Sequence, residues 1–162
     1  MEQGFVLKII DHDTHPALGV LRQLLREYQQ AIGVDLCFQG FERELASLPG
    51  LYAPPDGRLY IAWCGDEPTG CVALRRHDAL DGEMKRLYVR PAFRQQGLGR
   101  VLAERVIEDA RQIGYRRLLL DTLPSMASAR ALYAQLGFEQ TQAYVFNPIA
   151  GVSYMSLTLG EA

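Results

Sequence analysis

The chain has 162 residues, within the roughly 100–200 of a usual domain, so residues 1–162 read as one domain. A composition of 48% hydrophobic and 22% charged residues excludes a disordered chain and supplies a core that needs no disulfide or metal staple. Lys+Arg 17 against Asp+Glu 19 gives a formal charge of −2, which removes the global basic footprint of a nucleic-acid or anionic-membrane binder.

The three cysteines, Cys37, Cys64 and Cys71, form no CxxC or CxxH pair, and His12, His15 and His77 stand at no ligand-like spacing from them. No zinc site is expected. The opening MEQGFVLKII lacks a basic stretch followed by a long apolar one, and no window reaches the ~18 apolar residues of a membrane span. Free thiols without an export signal imply a reducing, cytoplasmic compartment.

In chain order, Phe5 to Ile10 is a short β-branched run, read as a strand. From His15 to Ile32, apolar residues at 18, 21, 24, 25, 28 and 32 mark an amphipathic helix, with Asp13 or Thr14 as its N-cap. A second helix over Phe41 to Leu48 stops at Pro49-Gly50. Arg58 to Cys64 and Thr69 to Arg76 form a hairpin about Gly65-Asp66-Glu67-Pro68. Glu83 to Val89 is a further strand, ended by Pro91. Leu98 to Ile113 is the clearest helix, with a wide apolar stripe and Gly114 at its C-cap. A strand at Arg117 to Thr122, a helix at Ser125 to Leu136, and strands at Gln140 to Phe146 and Val152 to Leu159 complete the chain. The two central strand–helix units require parallel pairing of 83–89 with 117–122. The expected fold is α/β: a mixed, mostly antiparallel sheet with one parallel pair and helices on both faces.

The chemistry concentrates at Arg94-Gln95-Gln96-Gly97-Leu98-Gly99-Arg100, between a strand and the strongest helix. Two glycines at a helix start let backbone N–H groups approach an anion, and the helix dipole favours a phosphate there. Arg94 and Arg100 add charge, which suits a pyrophosphate; a plain tight turn with a glycine-rich cap remains the alternative. A P-loop is excluded because Arg100-Val101 follows Gly99 where Lys-Ser/Thr is needed. A dinucleotide fingerprint needs a small residue where Leu102 stands, and an earlier place in the chain.

Arg94-x-x-Gly97-x-Gly99, preceded by Leu87-Tyr88-Val89-Arg90-Pro91 and followed by Ala131-Leu132-Tyr133-x-x-Leu136-Gly137-Phe138, resembles the GNAT acetyltransferase superfamily. The match covers roughly residues 58–159, and the preceding β-α-α segment agrees in type. The resemblance implies the acyl-CoA N-acyltransferase fold, with the parallel pair splayed, and acetyl-CoA as cosubstrate without a metal. It implies that the backbone from Gln95 through Gln96, Gly97, Leu98 and Gly99 to Arg100 receives the pyrophosphate. Leu87, Tyr88 and Val89 would pair with the pantetheine arm like an added strand.

The implied reaction is direct transfer of an acetyl group to a small-molecule amine in a ternary complex. A lysine-like amine of pKa about 10.4 carries a deprotonation handicap of about 4 kcal/mol near neutral pH, so a base is wanted. An acid assists the departing thiolate. Tyr133 matches the family's acid, although it also falls on an apolar stripe. Glu83 and Asp121 are the candidate bases; Glu83 could instead pair with Lys85 or Arg86, and Asp121 could cap the next helix. Relatives often carry an asparagine seven residues before the tyrosine. Met126 stands there, leaving Ser125 or Ser128 to supply that coenzyme contact. Acceptor-side candidates are Glu27, Tyr28, Asp35, Phe38, Tyr144 and Asn147-Pro148. The competing readings are an acetyl-CoA-binding sensor without turnover, use of another acyl-CoA, and a protein amine as acceptor. No nucleic-acid or membrane partner is expected, and homodimerisation is left open.

Overall fold

The computed structural model describes residues 4–33, 36 and 40–160. Cys37 and two of the acceptor candidates, Asp35 and Phe38, lie outside them. Seven strands form one sheet: β1 (Val6–Ile9), β2 (Arg58–Cys64), β3 (Glu67–Arg76), β4 (Asp81–Val89), β5 (Arg117–Thr122), β6 (Glu139–Gln140) and β7 (Ser153–Thr158). The spatial order is β1-β2-β3-β4-β5-β7-β6, antiparallel except where β4 meets β5. Helices α1 (Leu18–Ile32) and α2 (Phe41–Ser47) cover one face; α3 (Leu98–Ile113) and α4 (Ala127–Gln135) pack on the other.

The α3 stripe lands as its spacing requires: Leu102, Ala103, Val106 and Ala110 are fully buried against Tyr60, Val72, Leu74 and Leu118. Each large apolar side chain so buried contributes about 1.5–3 kcal/mol. On the opposite face Leu21, Leu24 and Leu25 of α1 pack against Leu59, Ile61 and Ala73. The helix starts later than Asp13 or Thr14 would place it. Pro16 disfavours helical geometry at His15, so α1 cannot extend to residues before the proline. Ala17 is its N-cap without a side-chain bond, and the His15 ring accepts the Ala17 N–H at 3.1 Å.

The second departure is the strand expected at 140–146. Pairing there ends with Glu139–Ser156, Gln140–Met155 and one bond from Thr141 N to Tyr154 O. The chain then leaves the sheet until β7, because Tyr144 and Asn147 turn toward Glu83 and Asp121. Of the two cations expected beside Glu83, Lys85 pairs with it at 3.8 Å, joined by Arg75 at 3.7 Å, whereas Arg86 points to α2. Nor does Asp121 cap α4, whose N-cap is Met126 with no side-chain bond.

Sheet geometry is decided in β4. Its parallel contact with β5 covers only Asp81–Arg117, Gly82–Leu118 and Glu83–Leu119. Against β3 the register slips: Cys71 faces Tyr88 but Ala73 faces Lys85, so two steps on β3 oppose three on β4. The extra residue makes a bulge at Arg86, which sits at φ 62°. A left-handed conformation in a non-glycine residue costs about 1–2 kcal/mol. The Arg86 guanidinium offsets it with two bonds to Glu44 of α2, both 2.9 Å, and by lying over Phe41 and Tyr28. The Arg86 side chain is only 3% exposed. Glu44→Ala should therefore strand a buried cation and lower stability by about 3–5 kcal/mol in urea denaturation; a loss under about 1 kcal/mol would refute the anchoring role.

Candidate active site

Beyond Glu83 the edges of β4 and β5 diverge, and a groove of about 560 Å³ runs from the gap to the start of α3. Leu87, Tyr88 and Val89 form one wall; Ser125 to Ala129 and Leu132 form the other. The far end is closed by Arg94, Gln95, Gly97, Leu98 and Gly99. Gln95 and Gly97 both take left-handed conformations, at φ 64° and 82°, which folds the loop tightly onto the helix. The first bond of α3 into the loop runs from Val101 N to Gly97 O, and Gly97 supplies no side-chain cap. The amides of Leu98, Gly99 and Arg100 are thereby left as anion donors at the positive end of a 16-residue helix. A Cβ at Gly99 would make only an ordinary contact, 3.5 Å from Leu132 Cδ2 of α4.

The predicted loop residues do not all face this groove. Leu98 is a core side chain, 1% exposed, so it can offer only its backbone. The Gln96 amide returns to Ala92 O at 3.4 Å, and the Arg100 guanidinium goes to Gln135 at 3.0 Å, with Glu104 at 3.7 Å; neither residue lines the groove. Arg94 lines it while bonding Val89 O at 3.0 Å. Ser128 lines it as expected, and Met126 occupies the junction between the groove and a second cavity.

That second cavity is the splay itself, a constriction of about 30 Å³. Met84 to Leu87 and Leu120 to Leu123 flank it, and Tyr28, Tyr133, Asn147 and Ile149 complete its walls. Tyr133, 4% exposed, lies against Phe138 at 5.7 Å between ring centres. Its hydroxyl has no hydrogen-bond partner among the described residues. Burial first, then nearby Tyr28 and Asp121, pushes its pKa above the usual phenol value, so it remains a donor at neutral pH. Asp121 lines the same cavity and accepts a bond from Asn147 Nδ2 at 3.2 Å. Glu83 does not line it: the carboxylate is buried where the strands are still paired, accepting the Tyr144 hydroxyl at 2.6 Å. The structure thus brings Tyr133 and Asp121 together and sets Glu83 behind them.

Of the acceptor candidates, Tyr28 and Asn147 line the cavity and Tyr144 holds Glu83. Glu27 does something else. It clamps Arg90 through bonds of 3.0 and 2.8 Å and accepts from Tyr88, tying α1 to β4; Arg90 holds its carboxyl below the usual range. Sequence reasoning missed Lys85 as a cavity residue and Arg86 as the bulge. Lys85 had a faint signal, a cation inside an otherwise buried strand; Arg86 had none, because its partner Glu44 lies 42 residues away. Among the described residues there is no group of three or more metal-ligating side chains, and no helix is long and apolar enough to cross a membrane.

The model of the acetyltransferase (GNAT) family matches residues 20–138. The chain belongs to this family. It is 40% identical over 148 residues to an uncharacterized N-acetyltransferase of Schizosaccharomyces pombe, covering 89% of this chain and 90% of that one. Among solved structures, an acetyltransferase of Streptococcus agalactiae superposes with a TM-score of 0.79 at 22% identity, covering 96% and 99% of the two chains. A GNAT-family acetyltransferase of Elizabethkingia anophelis with acetyl-CoA bound superposes with a TM-score of 0.66 at 21% identity, over 95% and 97%. The GNAT match spans the bulge, the α3 loop and Tyr133, the segments in which the sequence motifs lie.

Proposed function

We propose that this GNAT protein transfers an acetyl group from acetyl-CoA to the amine of a small molecule. Acetyl-CoA supplies the activated thioester. The α3 amides from Leu98 to Arg100 would hold its diphosphate, and the unpaired inner edge of β4 at Leu87 to Val89 would bond the amides of its arm. A groove lined from Leu87 at the splay to Gly99 at the start of α3 supports this, as does the acetyl-CoA-bound Elizabethkingia relative in fold.

The observation that carries the reading is one narrow cavity lined both by a carboxylate and by a tyrosine hydroxyl with no hydrogen-bond partner among the described residues. Asp121, steadied by Asn147, receives the acceptor amine and takes its proton directly or through a water. Glu83 sits behind them and acts on Lys85 through the field of its charge. Tyr133 donates to the departing sulfur. Since burial raises its pKa, it serves better as a fixed hydrogen-bond donor to growing negative charge than as a strong acid.

Two variants test this. Gly99→Glu places a carboxylate in the amide cradle, where its Cβ meets only an ordinary contact with Leu132. It should erase the calorimetric heat of acetyl-CoA binding and leave the melting temperature within about 3 °C. Normal binding would remove the loop from the site. Tyr133→Phe should lower kcat roughly 10²-fold in a thiol-release assay with acetyl-CoA affinity unchanged. Wild-type turnover in that variant would end the donor assignment.

A further inference from the structure

The bulge at Arg86 breaks the alternation of β4. Met84 and Leu87 belong to the core beneath α3, while the side chains of both Lys85 and Arg86 emerge on the α1–α2 face. Two consecutive cations therefore enter one region, together with Arg75, and face three carboxylates: Glu44, Glu83 and Asp121. Their bonding is unequal. Arg86 is held by Glu44 in a two-bond fork. Glu83 accepts the Tyr144 hydroxyl and has Arg75 at 3.7 Å.

Lys85 is left over. Its side chain is 11% exposed, lines the cavity, and makes no hydrogen bond among the described residues; its ion partner, Glu83 Oε2, stands at 3.8 Å, beyond hydrogen-bond reach. An ammonium has three N–H groups to place and no other use for them. Burial pulls its pKa down, the response of a cation short of acceptors. Asp121, in the same cavity, spends one oxygen on Asn147. The cavity thus offers a carboxylate for an amine and, in Lys85, a cation whose N–H groups make no hydrogen bond among the described residues.

Building on the acetyl-transfer reading, we infer that the acceptor is an amine that also carries a carboxylate, of the amino-acid type, and that Lys85 is the residue that binds that carboxylate. The acceptor amine then lies toward Asp121 and Tyr133 while its acid group takes the Lys85 donors. An acceptor without the acid group would leave those donors buried and unmatched. At about 30 Å³ the cavity takes only the amine and acid end of the acceptor at its mouth, so the remainder lies toward the 141–152 loop.

The experiment uses the purified protein, acetyl-CoA and thiol-release detection. The protein amino acids are compared with their carboxamides and their decarboxylated amines. The acids should exceed the other two classes by about tenfold or more in kcat/KM. Lys85→Met should abolish that preference by raising KM for the acids, with acetyl-CoA affinity unchanged by calorimetry, and Lys85→Arg should keep part of it. Equal or better turnover of carboxamides and decarboxylated amines overturns the Lys85 inference and leaves acetyl transfer standing. Acetyl-CoA binding with no turnover in any class overturns both. If Lys85→Met fails to fold, the acid-to-carboxamide ratio of the unaltered protein decides alone.

Discussion

The ion pair between Arg86 and Glu44 is the constraint on which the site depends. A regular β4 would continue its parallel ladder with β5 and close the sheet. The inserted residue bends the strand, pairing stops at Glu83–Leu119, and the inner edge of Leu87 to Val89 is left with main-chain groups that β5 does not reach. Such a bulge in a non-glycine residue survives only where its surroundings over-determine it. A buried, doubly bonded guanidinium stacked on Phe41 and Tyr28 meets that condition. Helix α2 contributes no residue to the groove or cavity, yet through Glu44 it sets the shape of both.

The loop after β6 holds the other side. Tyr144 and Asn147 each reach a carboxylate of the sheet, one at Glu83 and one at Asp121, and Tyr154 bonds Val145 O at 3.0 Å. These contacts replace the ladder bonds that a longer β6 would make. A two-residue edge strand is poor in pairing, but it frees the following chain to lie over the splay. The loop also carries Phe146, 85% exposed.

What the sequence made legible is what local periodicity and glycine chemistry govern. The bounds of α3 and β5 follow from the 3.6-residue stripe ending at Gly114 and from the apolar run before Thr122, and both agree with the structure. The amide cradle was readable because a left-handed Gly97 opening a helix has a recognisable signature. The bulge was not, since nothing around Arg86 distinguishes it from a neighbouring strand residue and its partner is remote in the chain. The end of β6 was hidden for the same reason: Tyr144 to Phe146 has strand-like side chains, and only the distant carboxylates draw it away. Glu83 and Asp121 looked equivalent because strand spacing carries no information on where two parallel strands part.

That parting point also explains why neighbouring residues of β4 have such different tasks. In an unbroken strand, Lys85 and Arg86 would lie on opposite faces, and one of them would have to bury its charge in the apolar layer under α3. The bulge puts both on the α1–α2 face, where Glu83 and Glu44 meet them. One charge is then consumed in holding the distortion, through Glu44, and the other is placed at the opening the distortion creates. A single inserted residue accounts for the open sheet edge, the buried anchor and the cation at the cavity, so the three should be gained or lost together.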